Sequence, residues 1–158
     1  MSTSSLQARF AVLAGLASLA MAAASGAHAT TYNPPIRMSG GVEYMSGGIG
    51  ADEAALMRSI EPRWPASFEF TVADGSHGDF AAGLQVTVRS EAGRTILDHV
   101  ESGGPVMVVR LEPGRYVVQA SLAGKVIERN ILVNAGSSTH SVFEWPAGTN
   151  TAHTASAR

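Results

Sequence analysis

The sequence contains no cysteine among its 158 residues. This absence excludes disulfide bridges, thiolate metal sites and a cysteine nucleophile. It also removes the residue to which bacterial lipid anchors are attached. Hydrophobic burial must therefore stabilise the fold without covalent cross-links.

Charge is also scarce, and neither sign dominates. Charged residues make up 15% of the chain, with 11 basic and 13 acidic residues and a formal net charge of −2. Such a balance lacks the basic excess of proteins that bind nucleic acid or anionic membrane surfaces. No Asn-x-Ser/Thr sequon occurs either, which favours a bacterial periplasm over a eukaryotic secretory route.

No hydrophobic run is long enough to predict a membrane-spanning helix. The run at residues 10–24 follows a polar segment with Arg9 and precedes small residues that end at Ala29. It has about 15 residues, fewer than the roughly 20 that span a bilayer, so it predicts a cleaved signal peptide at residues 1–29. We therefore expect a periplasmic or secreted protein with no membrane anchor after cleavage.

Residues 30–50 are rich in glycine and proline and show little apolar periodicity. Residues 38–42 nearly repeat at residues 45–49, with a pair of glycines in each copy. The spacing of the copies is too short for a solenoid. We interpret this region as an extended or mobile arm in which two glycine turns flank a short extended piece at residues 42–44.

Residues 51–61 carry the one helix that the sequence predicts. Acidic residues occupy its first turn, where they suit the positive end of the helix dipole, and Pro62 ends it. Leu56, Met57 and Ile60 share one face. Because so short a helix is marginal alone, we expect it to dock on a sheet or to cover an open end of one.

From residue 67 onward the period of the apolar residues changes to two. Phe68 and Phe70 alternate with polar residues, and turn residues separate this run from six similar ones. The pattern predicts a seven-stranded antiparallel β-sandwich of immunoglobulin-like kind at residues 67–145. Residues 146–158 are small and polar without periodicity, which predicts a disordered tail.

The clearest strand-turn-strand signal lies at residues 106–122. Apolar, β-branched runs flank the sequence Glu-Pro-Gly-Arg at residues 112–115. Pro113 presets φ at the second turn position, and Gly114 accepts the positive φ that a type II turn needs. This pair supplies no primed hairpin turn, so we expect a splayed hairpin or a corner. Tyr116 is expected to bury its ring and to return its hydroxyl to nearby backbone.

Three short segments of the strand region carry a recognisable pattern. They read Gly-Leu-Gln-Val-Thr-Val at residues 83–88, Gly-Arg-Thr-Ile-Leu-Asp at residues 93–98, and Leu-Glu-Pro-Gly-Arg-Tyr-Val-Val at residues 111–118, with Gly124 closing the next turn. These segments resemble the carboxypeptidase regulatory-like domain, which implies a transthyretin-like β-sandwich over about residues 68–133. In the peptidases this domain is an accessory module behind a separate zinc catalytic domain, so the resemblance implies no catalytic residue here. Residues 38–60 lie outside the family pattern.

The sequence Gly-Gly-Ile-Gly at residues 47–50 precedes the helix and resembles an anion-binding loop, because amides at a helix N-terminus bind anions. Glu53 replaces the third glycine of a dinucleotide fingerprint, and Asp52 beside it would also repel a phosphate. We interpret the segment as a loop that packs or contacts a partner. Met45 and Ile49 are the candidate contacts.

The histidines offer no metal-ligand spacing on a single element. His77 and Asp79 share a loop, which leaves an opportunistic divalent ion as the alternative to solvated side chains. Asp98 and His99 are neighbours on a predicted strand, so their side chains are expected to point to opposite faces and not to cooperate. We expect no cofactor and no resident metal ion.

Trp64 and Trp145 each precede a proline at the margins of the strand region. We expect them to cap the ends of the core. An aromatic platform for a carbohydrate is the alternative, and it requires the two indoles to lie together at the surface.

No catalytic motif stands out, so we expect an exported, non-catalytic β-sandwich module with a protein-binding or envelope accessory role. A carbohydrate or small-ligand binding domain is the alternative. An enzyme becomes a candidate if the fold brings a histidine and carboxylates together in a pocket. Residues 126–130 carry the neighbouring charges of Glu128 and Arg129, which predicts a guarded sheet edge to which a partner could add a strand. The identity of the partner and the oligomeric state stay open.

Overall fold

The computed structural model describes residues 33–73 and 83–149, which contain nine strands and one α-helix. The strands are β1 (Arg37–Ser39), β2 (Val42–Gly47), β3 (Ala66–Val72), β4 (Gln85–Ser90), β5 (Thr95–Glu101), β6 (Val106–Val109), β7 (Gly114–Leu122), β8 (Lys125–Val133) and β9 (Thr139–Trp145). The helix α1 (Ala51–Ile60) continues into a 3₁₀ turn (Glu61–Arg63) before β3. The predicted signal peptide, the loop with His77 and Asp79, and residues 150–158 lie outside the described residues.

The seven predicted strands are present as β3 to β9, but two more strands precede them. β1 and β2 fold from the region interpreted as an arm, and they pair as an antiparallel hairpin. Gly40 and Gly41 connect them with φ values of 57° and 81°, which fits the two-residue turn of a tight hairpin. The described residues thus form nine strands rather than seven, because this glycine pair closes a hairpin.

The strands form two sheets, in the orders β1-β2-β6-β3-β9 and β5-β4-β7-β8. The four-stranded sheet is antiparallel throughout. In the five-stranded sheet β3 and β9 run parallel, which corrects the prediction of a fully antiparallel fold. The reason is that β9 follows β8, a strand of the other sheet, so no hairpin fixes its direction.

Both sheets contribute side chains to one hydrophobic cluster. In it, Phe70 of β3 packs against Phe143 and Trp145 of β9, with ring centroids 5.6 and 6.4 Å apart. Trp145 is fully buried, and its Nε1 donates to the carbonyl oxygen of Lys125 on β8 at 2.9 Å. This bond joins one strand of each sheet. The prediction of a mainly β fold with one short helix is confirmed.

The chain turns a corner between the two sheets at Pro113 and Gly114. β6 ends at Val109 in the five-stranded sheet, and β7 begins at Gly114 in the other. Gly114 has a φ of 157°, rather than the value of about +80° that a type II turn requires. The predicted corner is therefore present, with a more extended backbone than predicted. Tyr116 is buried, and its hydroxyl donates to the carbonyl oxygen of Glu112 at 2.7 Å, as predicted.

α1 packs on the outer face of the five-stranded sheet. Met57 of the helix and Trp64, which follows the 3₁₀ turn, form a second hydrophobic cluster with Val108 of β6, and Met45 of β2 packs against it. Val108 faces away from the main core, yet the helix buries it completely. β6 is therefore apolar on both faces. The expectation that the helix docks on a sheet is confirmed.

β8 is an edge strand of the four-stranded sheet, since among the described residues it pairs only with β7. The predicted guarded edge at residues 126–130 therefore lies on an edge strand. Arg129 stands opposite the buried Val118 and is itself exposed, which places a charge at the margin of the core. Such an inward charge opposes pairing with another chain.

β5, the other edge of this sheet, contains a register shift opposite Val86 and Val88. The irregularity places His99 at a φ of 46° and breaks the alternation of side chains. Contrary to the prediction, Nδ1 of His99 therefore lies 2.6 Å from Oδ1 of Asp98, in an exposed pair.

Residues 146–149 follow β9 as a turn, where the prediction placed the start of a disordered tail. The backbone amide and the Oγ1 of Thr149 both donate to the carbonyl oxygen of Pro146, at 3.1 and 2.7 Å. Separately, no helix within the described ranges has the length and apolar character that a bilayer-spanning segment needs.

Candidate functional site

The candidate site lies on the outer face of the five-stranded sheet, beside α1. Along β3, the side chains of Ser67, Glu69 and Thr71 alternate with those of core residues and face outward. The parallel pairing of β3 with β9 places His140 directly opposite Ser67. Two residues that are 73 positions apart in the sequence thereby share one surface.

His140 connects Ser67 with Glu69. Its Nδ1 lies 2.9 Å from Oγ of Ser67, and its Nε2 lies 3.5 Å from Oε2 of Glu69. An imidazole protonated at Nε2 accepts a hydrogen bond from the serine hydroxyl and directs its own N–H toward the carboxylate. The ring is thus held between two partners while 44% of its side chain stays exposed.

A cleft of about 640 Å³ opens above this row of polar side chains, and we call it the α1 cleft. It is lined by Ser67, Glu69, Phe70, Thr71 and His140 of the sheet, by Ala54, Arg58, Glu61 and Pro62 of the helix and 3₁₀ turn, and by Gly48, Pro105, Val106 and Ser138. The lining combines aliphatic and proline surface with charged groups. That combination is typical of binding sites, where apolar contact gives affinity and a few polar groups fix orientation.

The 3₁₀ turn is attached to the start of β9, which fixes one side of the α1 cleft. Oγ of Ser138 donates to the carbonyl oxygen of Glu61 at 3.2 Å, and the amide of Thr139 donates to the carbonyl oxygen of Pro65 at 2.9 Å. Pro62 stands at the beginning of this turn, where a proline is compatible with helical backbone. The helix side of the cleft is therefore anchored to the strand that carries His140.

Glu61 is the carboxylate that the surrounding protein perturbs most clearly. Burial has the largest effect and raises the pKa of its carboxyl above the ordinary value of 4.5. Three nearby charged groups have successively smaller effects: His140 lowers this pKa, Glu69 raises it and Arg58 lowers it. None of the ion pairs formed among the described residues includes Glu61. The α1 cleft therefore contains a partly desolvated carboxyl group without a salt-bridge partner in this part of the chain.

The hydroxyl of Thr71 is a second polar group without a partner. Its Oγ1 is buried in the α1 cleft lining and forms no hydrogen bond with any described residue. A buried hydroxyl left unpaired costs about 1–3 kcal/mol, so this group lowers the stability of the fold, and because the oxygen is covered it offers no contact to a ligand.

Ser67, His140 and Glu69 have the contacts of a nucleophile, its base and an orienting carboxylate, but the serine lacks access. Ser67 is only 1% exposed, and its strand pairs with β6 on one side and with β9 on the other. Amides committed to a sheet do not form an oxyanion hole, and a covered hydroxyl does not reach a carbonyl carbon. His140 and Glu69 remain accessible, so this geometry favours binding and proton exchange over attack by Ser67.

The glycine loop before α1 is occupied by the protein's own carboxylate. The amides of Gly48 and Ile49 donate to Oε1 of Glu53 at 2.7 and 3.4 Å. A phosphate at this helix N-terminus would have to displace that carboxylate. The structure thus gives a physical reason against the anion-binding interpretation of residues 47–50.

The predicted contact residues do not form one exposed patch. Met45 is half-buried against the second hydrophobic cluster, whereas Ile49 is 52% exposed. Ile49 lies just beyond Gly48, which lines the α1 cleft.

The two tryptophans lie in different clusters. Trp145 belongs to the main core, and Trp64 is 6% exposed in the second cluster, with Cζ of Arg110 4.6 Å from its ring centroid. Trp145 therefore lies inside the main core, and Trp64 lies with Met57 on the outer face of the five-stranded sheet rather than at an end of the core. They do not form a shared surface platform for a sugar ring.

The side chains that converge in the α1 cleft were not among the predicted site residues. Glu61, Ser67, Glu69 and His140 come from the 3₁₀ turn, β3 and β9, and no short motif joins them. Within residues 33–73 and 83–149, no three His, Asp or Glu side chains are placed to hold a metal ion.

No family model matches this chain, and no curated protein matches it. The α1 cleft and the side chains around it are therefore the basis of the function proposed below.

Proposed function

We propose that this chain is an exported, non-catalytic β-sandwich module that binds a partner protein of the cell envelope through the α1 cleft. Two sheets with one shared core support a two-layer sandwich. The corner at Gly114 and the hydrogen bond of Tyr116 support the likeness to the carboxypeptidase regulatory-like, transthyretin-like domains. In that setting the module has an accessory role.

The α1 cleft carries the proposal because it joins accessible charges to an apolar wall. Glu69 and His140 keep 45% and 44% of their side chains exposed at its floor. Val106 and Pro105 contribute apolar surface to the same lining. A protein that docks here buries apolar surface and finds charged groups to pair with, which are the two contributions that define a specific interface.

The proposed lack of catalysis is supported by the position of Ser67. The fold brings a histidine and carboxylates together in a pocket, which is the condition under which an enzyme becomes a candidate. The one hydroxyl that contacts the histidine is nevertheless covered and lies in a strand paired on both sides. The accessible groups can hold a partner or transfer a proton, but they include no positioned nucleophile.

Export is supported by sequence features alone. The apolar run at residues 10–24 and the small residues ending at Ala29 are typical of a signal peptide. A chain without cysteine also folds without dependence on the redox state of the compartment.

A photo-crosslinking amino acid at Ala54, in the α1 cleft lining, tests partner binding. We expect a discrete crosslinked product with an envelope extract, and we expect excess unlabelled protein to abolish it. The matched control carries the same group at Glu128, which is exposed on β8 of the other sheet, and should give no such product. Equal products from both positions, or none from Ala54, would contradict the proposal.

A carbohydrate or small-ligand binding domain is the second candidate, and the volume of the cleft favours it. About 640 Å³ falls within the range of roughly 300–1,000 Å³ that small-molecule sites occupy. Trp64 follows the 3₁₀ turn whose Pro62 lines the cleft, so its fluorescence should respond to a bound ligand. A glycan panel that leaves this emission unchanged would count against the second candidate.

A further inference from the structure

The charges that line the α1 cleft are not balanced within it. Two carboxylates, Glu61 and Glu69, share the lining with one guanidinium, that of Arg58, and with the imidazole of His140, which is uncharged in the tautomer that accepts a hydrogen bond from Ser67. Glu69 contacts only His140, at 3.5 Å, among the ion pairs of the described residues, and Glu61 takes part in none of them. A ligand that brings a positive charge therefore meets an excess of negative charge at short range.

Arg58 is a hydrogen-bond donor in the same lining, but among the described residues it forms no ion pair with Glu61 or Glu69. The oxygens of Glu61 and Glu69 accept hydrogen bonds when these carboxylates are ionised. An ammonium group offers three donors and a guanidinium offers five. Either group can therefore satisfy several of these oxygens at once, through charge-assisted hydrogen bonds that are stronger than neutral ones.

The apolar part of the lining indicates what carries the cation. Ala54, Pro105 and Val106 present small apolar surfaces in the same cleft as the carboxylates. A flexible aliphatic stem packs on such surfaces while its charged end reaches a polar group, which is how lysine and arginine side chains bury themselves in part.

We infer that the α1 cleft binds the cationic end of a lysine or arginine side chain presented by the partner protein. This inference rests on the proposed docking function and adds the chemistry that selects the partner. Glu61 and Glu69 bind the cation, and the apolar surfaces of Ala54 and Val106 hold the aliphatic stem. Arg58 opposes the cation and limits affinity.

These roles predict that substitutions at neighbouring positions change the affinity for a cation in opposite directions. Glu61→Gln and Glu69→Gln each remove an ionised acceptor and should weaken binding of a cation about tenfold. Arg58→Ala removes a like charge and should strengthen it. Glu128→Gln changes the net charge of the protein by the same amount as Glu61→Gln, but it lies on the other sheet and should change nothing.

The experiment is an NMR titration of the backbone amides with three probes: n-butylammonium, butyrate and Nα-acetyl-lysine methylamide. We expect saturable shifts at residues 67–71 with both ammonium probes and none with butyrate. The apparent affinity should fall with added salt, because the attraction is electrostatic. The substituted proteins should follow the order stated above, and their unchanged spectra outside the cleft show that each of them folds.

The inference is overturned if butyrate binds as well as the ammonium probes, if neither ammonium probe saturates, or if Glu61→Gln and Glu69→Gln leave both affinities unchanged. Binding of butylammonium without the lysine amide overturns the assignment to a protein side chain. The docking function is tested separately, by the crosslink from Ala54. A crosslink from Ala54 that persists when both glutamates are replaced leaves docking in place and removes cation recognition.

Discussion

The outer faces of the two sheets differ, although their inner faces share one core. On the five-stranded sheet the outward Val108 is completely buried beneath Met57 of α1. On the four-stranded sheet the outward positions lie open: Nε2 of Gln119 donates to Oε2 of Glu128 at 2.7 Å, and Val126 and Leu132 on the same face stay exposed. The α1 cleft thus lies where a short helix covers only part of a sheet, because the margin of the helix creates a concave surface.

Removing the contact between α1 and the five-stranded sheet should remove this difference between the two outer faces. Of the substitutions considered, we expect it to lower the free energy of unfolding most. Met57→Ala deletes a fully buried side chain, and we expect a loss of about 3 kcal/mol in the free energy of unfolding. Urea denaturation followed by circular dichroism measures it. Val117→Ala, at a half-buried outward position of β7, is the matched control and should lose less than about 1 kcal/mol. Equal losses would mean that α1 does not belong to the cooperative fold.

The corner that joins the two sheets is the next point of weakness. Gly114→Val forces a β-branched residue to adopt a φ of 157°, and we expect a loss of about 2 kcal/mol. A Cβ atom there would lie 3.7 Å from the ring of Tyr116, an ordinary contact, so the cost is conformational rather than steric. Glu112→Ala keeps the backbone carbonyl and should be nearly neutral. An unchanged unfolding midpoint for the valine variant would refute this prediction.

Tyr116→Phe removes the hydrogen bond at the same corner and should cost about 1 kcal/mol at neutral pH. Burial raises the pKa of the Tyr116 hydroxyl above 10.0, with a further increase from Glu112 and an opposing effect of Arg94. Since the folded pKa exceeds the unfolded one, this stability is fully present below pH 10 and is lost as the pH rises through the folded pKa.

Denaturation curves between neutral and strongly alkaline pH measure both effects of Tyr116→Phe. The alkaline decline in stability should be smaller in the phenylalanine variant than in the unsubstituted protein. Tyr44→Phe is the matched control, because Tyr44 is also buried but its hydroxyl bonds to no described residue. The interpretation fails if both phenylalanine variants respond alike.

Glu61→Gln should give the smallest change in the free energy of unfolding. Its effect should be confined to the side of the molecule that carries the α1 cleft. The raised pKa of Glu61 means that folding disfavours its ionised form. The contribution of Glu61 to the stability of the fold is fully present below pH 4.5, and it is lost as the pH rises through the folded pKa. The glutamine variant should therefore gain stability relative to the unsubstituted protein at pH 7 and lose that advantage in acid.

Thermal unfolding at pH 4 and pH 7 compares Glu61→Gln with Glu128→Gln. Glu128 is exposed on β8, so its replacement should show no pH-dependent gain. A gain of equal size in both variants would show that net charge, rather than burial in the cleft, is responsible.

Much of the fold was predictable because local chemistry specifies it. Runs in which apolar and polar residues alternate, such as the run with Phe68 and Phe70, predict β3 to β9, and turns rich in glycine and proline separate these runs. Pro113 and Gly114 predict the corner. β1 and β2 were not predicted, because β2 lies between two strands and is partly buried on both faces, so its residues do not alternate cleanly.

The candidate site was less predictable because pairing between distant strands creates it. Ser67 and His140 meet only through the parallel register of β3 and β9, and no local pattern specifies that register. One signal was present: β6 is a continuous apolar run, which is typical of a strand covered on both faces. That run indicates a cover over the outer face, but not which polar groups would lie beside it.

The parallel pair of β3 and β9 also has a consequence for the order of folding. Its partners are 73 positions apart, so their contact closes a long loop, and we expect it to form after most of the local hairpins. The same event buries Phe143 and Trp145 and brings His140 to Ser67. On this expectation the α1 cleft and the core are completed together, so the proposed binding through the cleft requires a chain that has finished folding.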